Sequence, residues 1–218
     1  MKVVVVASGD LDPADASRLD GADMVVAADG GAESLDRLGR RPDLLIGDLD
    51  STDGALVERL SAAGVRVERH PTDKEASDTE LALAAALEAG AEEIVLLGAI
   101  GGDRLDHELA NLLLLADPSF AGHDLRLVHA GSTVRVLRSG ESRSLDGGAG
   151  DLVTLLPIGG EATGVSTDGL RWPLERETLR MGRSRGLSNE IVMTPASVRL
   201  GSGLLLVIER AGERGAIA

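Results

Sequence analysis

The stretch Pro42-Asp43-Leu44-Leu45-Ile46-Gly47-Asp48-Leu49-Asp50-Ser51-Thr52 decides the fold. Leu44, Leu45 and Ile46 form a short continuous apolar run, the mark of a strand buried on both faces. Gly47 ends it, and two carboxylates follow at i and i+2. On an extended segment that spacing puts Asp48 and Asp50 on one face. Two like charges that close repel unless a cation lies between them, and oxygen-only ligands suit a hard cation such as Mg²⁺. Gly-Asp steps are also ordinary turn residues, so the rest of the chain has to decide.

Outward from this stretch the same grammar repeats. Apolar strands are expected over 3–7, 24–28, 44–46, 94–97 and 125–128, with an alternating strand over 65–69. Between them lie helical segments: a short one over 32–38 ended by Gly39, a strong one over 78–89 ended by Gly90, and one over 104–116 stopped by Asp117-Pro118. Apolar strand, glycine turn and helix in alternation predict a three-layer α/β domain with a mostly parallel sheet. From about residue 133 the grammar changes. Short strands over 134–137, 151–156, 162–167, 170–173, 191–194, 197–200 and 204–208 are separated by Gly-rich breaks, with no convincing helix. The expected architecture is therefore α/β plus all-β: an N-terminal α/β domain over 1–136 and, over 137–218, a C-terminal antiparallel β-sandwich or barrel.

Composition narrows the function classes. The 218 residues carry a net charge of −14, a field that disfavours non-specific binding to nucleic acid or an anionic membrane. There is no cysteine, which removes disulfides, thiolate zinc sites and a Cys nucleophile. The apolar run at the N-terminus is too short for a signal sequence, and no run approaches a transmembrane length. The cytoplasm is the expected location. Aromatics are only Phe120 and Trp172, so the core is aliphatic and the lone Trp needs a reason.

In open parallel sheets ligands bind at the carboxyl ends of the strands. Asp29-Gly30-Gly31, Gly47-Asp48-Leu49-Asp50, the run from His70 to Asp78, and Gly98-Ala99-Ile100-Gly101-Gly102-Asp103-Arg104-Leu105-Asp106-His107 all follow expected strands. Gly30 and Gly31 let main-chain N–H groups approach a phosphate or ribose. Asp48, Asp50 and Asp78 are candidates to share Mg²⁺. Arg104 suits bidentate capture of phosphate oxygens, and Asp106 suits a proton acceptor or a further metal ligand. These are the parts of phosphoryl transfer. The blander readings are helix N-caps for Asp29 and Asp78, a local ion pair for Arg104 with Asp106, and a core position for Trp172. No Gly-Lys-Ser/Thr phosphate loop is present.

Taken in order, these segments resemble the thiamine pyrophosphokinase family. The resemblance rests on Ala28-Asp29-Gly30-Gly31-Ala32, the 42–51 stretch, Asp73-Lys74-Glu75-Ala76-Ser77-Asp78-Thr79-Glu80, the 98–107 stretch with Asn111, Gly169-Leu170-Arg171-Trp172-Pro173-Leu174, and Ser184-Arg185-Gly186-Leu187-Ser188-Asn189-Glu190. It is collinear over nearly the whole chain. It implies transfer of the pyrophosphoryl group of ATP to thiamine, with Mg²⁺, in a homodimer whose active sites lie at the subunit interface. By position it implies a Mg²⁺ and phosphate centre at Asp48, Asp50 and Asp78. Asp29, Gly30, Gly31 and Arg104 become ATP contacts, and Asp106 lies near the reacting hydroxyl. Trp172, Ser188 and Asn189 become thiamine contacts, and an aromatic face suits a flat cationic heterocycle. Glu75 and Ser77 stand where the family usually has Asp and Thr, which keeps the chemical type. A pyrophosphokinase for another hydroxymethyl heterocycle, such as a pterin, and a non-catalytic nucleotide or thiamine-phosphate binder are the rival readings.

Overall fold

The computed structural model describes residues 1–50 and 52–212; Ser51, part of the motif above, lies outside them. The chain divides into two compact units, Met1–Ala130 and Gly131–Ala218. The division falls ahead of the expected 136/137 because strand β7 (Ser132–Arg138) pairs along its whole length with β13 (Ser202–Arg210) of the second unit.

The first unit contains six strands: β1 (Lys2–Val6), β2 (Met24–Ala28), β3 (Leu44–Gly47), β4 (Arg66–Arg69), β5 (Glu93–Leu97) and β6 (Asp124–His129). They lie in the order β4-β3-β2-β1-β5-β6, every pairing parallel. Period-2 alternation sends the strand residues to two buried faces. Val4, Val6, Ala27, Leu45, Val95 and Leu97 pack with Ala32 and Leu35 of α1 (Gly31–Arg37) and with Leu56, Val57 and Leu60 of α2 (Gly54–Ala62). Val3, Val5, Val26, Leu44 and Ile46 point the other way and are equally buried. Helix α3 (Asp78–Glu88) lies against β1, β2 and β3 and buries Ala82, Leu83 and Ala86. The expected three layers follow directly. Each fully buried Val or Leu contributes roughly 1.5–3 kcal/mol, so the continuous apolar runs are what hold the sheet.

The order of the strands creates the site. Connections run outward from β1 to β4 on one side and then cross to β5 and β6 on the other. The carboxyl ends of β1 and β5 are therefore a topological switch point, where such sheets open a crevice. Helix α4 (Leu105–Leu114) begins beside it.

The second unit is antiparallel throughout. It comprises β7, β8 (Ser142–Ser144), β9 (Leu152–Asp168), β10 (Glu177–Leu179), β11 (Asn189–Glu190), β12 (Ser197–Arg199) and β13. The first half of β9 pairs with β13 and β11, and its second half with β10 and β12. Side chains from both halves, among them Val153, Leu155, Ala162 and Val165, enclose one core with Leu137, Val198, Leu205 and Val207. Two strands expected over 151–156 and 162–167 are thus one strand. The glycines between them mark a shift of register against β13 rather than a turn.

Candidate active site

A cleft of about 420 Å³ opens at the switch point, lined by Ser8 and Gly9 after β1, Asp29 after β2, Asp48 after β3, Thr72, Lys74 and residues 76–79, and by part of the 99–111 segment after β5, Arg104 and Asn111 included. Within it, carboxylate oxygens of Asp29, Asp48 and Asp78 lie within 4.8 Å of one another. The geometry follows from pairing. Ala28 and Ile46 are register partners in adjacent parallel strands, so the residues just beyond them emerge side by side. Asp78 is brought in by α3. Its helix is capped by Ser77, whose Oγ accepts from the Glu80 N–H at 3.2 Å, so Asp78 is not spent as the N-cap.

Asp50 does not join this group. The segment expected to be extended is bent: Gly47 has φ 152° and Leu49 φ 60°, and Leu49 buries its side chain. Asp50 turns away and accepts from Thr72 Oγ1 at 2.9 Å, while Asp48 Oδ1 accepts from the Asp50 N–H at 3.1 Å. Asp29 has also left the ordinary range, with φ 46°. Asp29 and Leu49 are two of the five non-glycine residues with positive φ among the described residues, and a third is Ser188. Such strain persists where surrounding structure over-determines it, often at functional sites. Gly47 is required for a second reason. A Cβ there would stand 3.1 Å from Asp78 Oδ1 and 3.3 Å from Asp29 Cβ. Gly47→Ala is expected to cost about 1–3 kcal/mol of stability and most of the activity, read by thermal unfolding and turnover. A variant as stable and as active as the parent contradicts this packing.

Three carboxylates this close repel by at least about 3 kcal/mol per pair at an effective dielectric of about 20. Part of the compensation comes from Lys74, a residue with no role in the expected site. Its Nζ lies 3.0 Å from Asp78 Oδ1 and 3.7 Å from Asp48 Oδ2. Burial pulls the Lys74 pKa down, but the contacts with Asp78 and Asp48 outweigh it and the net shift is upward. Asp78 Oδ1 is buried, and the ammonium meets it as a charge contact rather than an aligned hydrogen bond. A buried oxygen of this kind, with two further carboxylates in reach, suits a hard divalent cation.

Arg104 and Asp106 form the local ion pair that was the blander expectation. The guanidinium Nε and one terminal nitrogen donate to the two Asp106 oxygens at 3.0 and 2.7 Å. Both side chains are well exposed, so the pair adds little stability. The Arg104 fork, aided by the N–H groups of Asp106 and His107, holds the Asp106 carboxyl well below the usual carboxylate range. Arg104 is nonetheless placed on the cleft, beside a loop pinned by Glu108, whose Oε1 accepts from the Gly101 N–H at 3.0 Å. Asn111 is buried and donates to the Ala99 carbonyl at 2.9 Å. Gly30 and Gly31 follow Asp29 at the start of α1, and a Cβ on Gly31 would fall 2.0 Å from the Val6 carbonyl oxygen.

The second unit carries its own cluster. Trp172, Arg185, Leu187, Ser188 and Asn189 line a shallow hollow of about 260 Å³. Trp172 is 52% exposed, so it is not a core residue. Asn189 is buried and fixes it: Oδ1 accepts from the Trp172 N–H at 3.1 Å, and Nδ2 donates to the Trp172 carbonyl at 2.7 Å. The Arg171 guanidinium sits 5.9 Å from the Trp172 ring centroid, within cation–π range, and is itself bidentate on Glu190. Ser188 is held by its N–H to Thr154 Oγ1 at 3.0 Å.

Fold and site together define an α/β enzyme with a carboxylate-lined cleft at the switch point of its sheet and a separate β unit bearing an exposed aromatic. Residues 16–128 match the family described as thiamin pyrophosphokinase, catalytic domain, and residues 142–205 match thiamin pyrophosphokinase, vitamin B1 binding domain. The chain belongs to the thiamin pyrophosphokinase family. Among its relatives, the thiamine pyrophosphokinase of Bacillus subtilis is 25% identical over 183 residues, covering 84% of this chain and 85% of that protein. Thiamine pyrophosphokinase 1 of Oryza sativa subsp. japonica is 27% identical over 184 residues, covering 79% and 67%. The crystal structure of the Geobacillus thermodenitrificans thiamin pyrophosphokinase superposes with a TM-score of 0.82 at 26% identity, covering 98% of this chain and 99% of that one. The Bacillus subtilis structure gives 0.86 at 23% identity, covering 97% and 99%. Among the described residues no helix is long and apolar enough to cross a membrane.

Proposed function

We propose that the chain transfers the pyrophosphoryl group of ATP to the hydroxyl of thiamine, giving thiamine diphosphate and AMP. The observation that carries this reading is the Asp29, Asp48 and Asp78 carboxylate group at the switch point of a chain of this family. The thiamine oxygen bonds to the β-phosphorus, the bond from that phosphorus to the oxygen it shares with the α-phosphorus breaks, and AMP leaves with that oxygen. The hydroxyl proton is released to water. Asp29, Asp48 and Asp78 would hold Mg²⁺, which would neutralise charge on the triphosphate. Asp50, anchored by Thr72, belongs to the rim of this centre. Arg104 exchanges Asp106 for phosphate oxygens, and Asp29 with Gly30 and Gly31 borders the nucleotide. Trp172 stacks on thiamine, with Ser188 beside it and Asn189 holding the main chain of Trp172 in place.

Asp106, which Arg104 holds well below the usual carboxylate range in the free protein, orients the hydroxyl in this scheme. The linkage sign follows from the lowered pKa. The pair is complete above the ordinary carboxylate value of about 3.9 and is lost only as pH falls below it. The pH profile of kcat/KM is therefore expected to show no Asp106 inflection above about pH 5. An inflection in the neutral range that disappears in Asp106→Asn contradicts the assignment.

The same reading includes a homodimer with active sites at the subunit interface and a cytoplasmic setting, where ATP is at hand. Helix α4 supports the dimer. Leu105, Leu109 and Leu113, one per turn on one face, are 66%, 53% and 60% exposed. Incubation with Mg²⁺-ATP and either thiamine or a hydroxymethyl-pterin tests the function. AMP release with thiamine alone is expected. Release with the pterin alone, or with neither, contradicts it.

A further inference from the structure

Of the 22 basic residues in the sequence, only Lys2 and Lys74 are lysines. Everywhere else the chain uses arginine. Lys2 is spent on the carbonyls of Arg18 and Asp20. Lys74 stands in the segment between β4 and α3, turned by its N–H to the Thr72 carbonyl at 3.1 Å, with its side chain only 14% exposed. Its ammonium faces Asp78 at 3.0 Å and Asp48 at 3.7 Å, two of the three carboxylates of the acidic group. A compact ammonium on a flexible stem is a mobile point charge, whereas a planar guanidinium fork is not. The ammonium and a divalent cation therefore compete for the same oxygens.

We infer that Lys74 is a built-in counter-ion: it holds Asp48 and Asp78 together until a divalent cation takes their oxygens, and the displaced ammonium is then free to meet the nucleotide's phosphates. This rests on the Mg²⁺ assignment above. Lys74 is a positioning residue for the carboxylates, and its removal has opposite effects on metal binding and on the metal-free fold.

The test uses nucleotide-free protein with Mn²⁺ followed by electron paramagnetic resonance. Lys74→Gln is expected to bind Mn²⁺ at least about 5-fold more tightly than the parent. It is also expected to unfold at a lower temperature without divalent ions, a gap that closes as Mn²⁺ is added. Equal or weaker Mn²⁺ binding by Lys74→Gln, at a site that Asp78→Asn abolishes, overturns the inference and leaves the metal assignment standing. No Asp78-dependent Mn²⁺ binding in any variant overturns both. A second measurement needs no variant. With ¹³Cε-labelled lysine the chain gives two lysine signals, Lys2 serving as the internal control. The Lys74 methylene is expected to be rigid without divalent ions and to loosen on saturation with Mg²⁺. A signal that stays rigid overturns the inference.

Discussion

Asp78→Asn is expected to lower turnover by at least about 100-fold, on the scale of losing one transition-state contact. The fold should survive, because Ser77 rather than Asp78 caps α3 and an amide fills the same volume. Asp48→Asn should behave alike. Asp50→Asn should lose clearly less, since Asp50 accepts from Thr72 and stands outside the carboxylate group. Steady-state turnover of the three variants, with circular dichroism as the control on folding, reads the order directly. A loss in Asp50→Asn equal to that in Asp78→Asn would return Asp50 to the metal centre, and near-normal turnover in Asp78→Asn would refute the assignment.

Trp172→Ala is expected to raise the KM for thiamine about 10-fold or more and to leave the KM for ATP within about 2-fold. A desolvated cation–π contact is worth about 2 kcal/mol, and each 1.4 kcal/mol is tenfold. The ring is half exposed and its main chain is clamped on both sides by Asn189, so the side chain is removed without loss of core packing. Trp172→Phe should recover part of the loss. Equal shifts in both KM values would indicate a general distortion and not a thiamine contact.

Much of this was legible in the sequence because it depends on local pattern. The continuous run Val3-Val4-Val5-Val6 and the Leu44–Gly47 strand are apolar on both faces, which only a covered parallel sheet explains. Several of the acidic and glycine residues after the strands fall on the rim where the cleft opens. What the sequence withheld was strand order and backbone sign. Asp29 was expected among the nucleotide contacts; it joins the carboxylate group because β2 and β3 are neighbours, a fact of topology rather than spacing. Asp50 is expected beside Asp48 on an extended segment, but Leu49 takes a positive φ and Asp50 pairs with Thr72 outside the carboxylate group. A leucine carries no signal for that conformation.

Other differences have similar causes. Helix α2 is absent from the expected elements, although Asp53 caps it and Leu56, Val57 and Leu60 have helical spacing. Its signal was masked by the preceding turn residues. Strand β9 was read as two because Gly159-Gly160 looks like a turn, and only its pairing with β13 reveals one strand with a shifted register. Lys74 has no role in the expected site, yet it faces two of its carboxylates. Its signal lay in composition, as one of two lysines among many arginines, and not in its immediate neighbours.

The most direct measurement of the central claim follows the phosphorus. ATP labelled at the β-phosphorus is supplied with Mg²⁺ and thiamine, and the products are separated. Transfer of the intact pyrophosphoryl group predicts all of the transferred label in thiamine diphosphate, with AMP unlabelled and formed in equal amount. Label retained in ADP, with thiamine carrying a single phosphate, would contradict it.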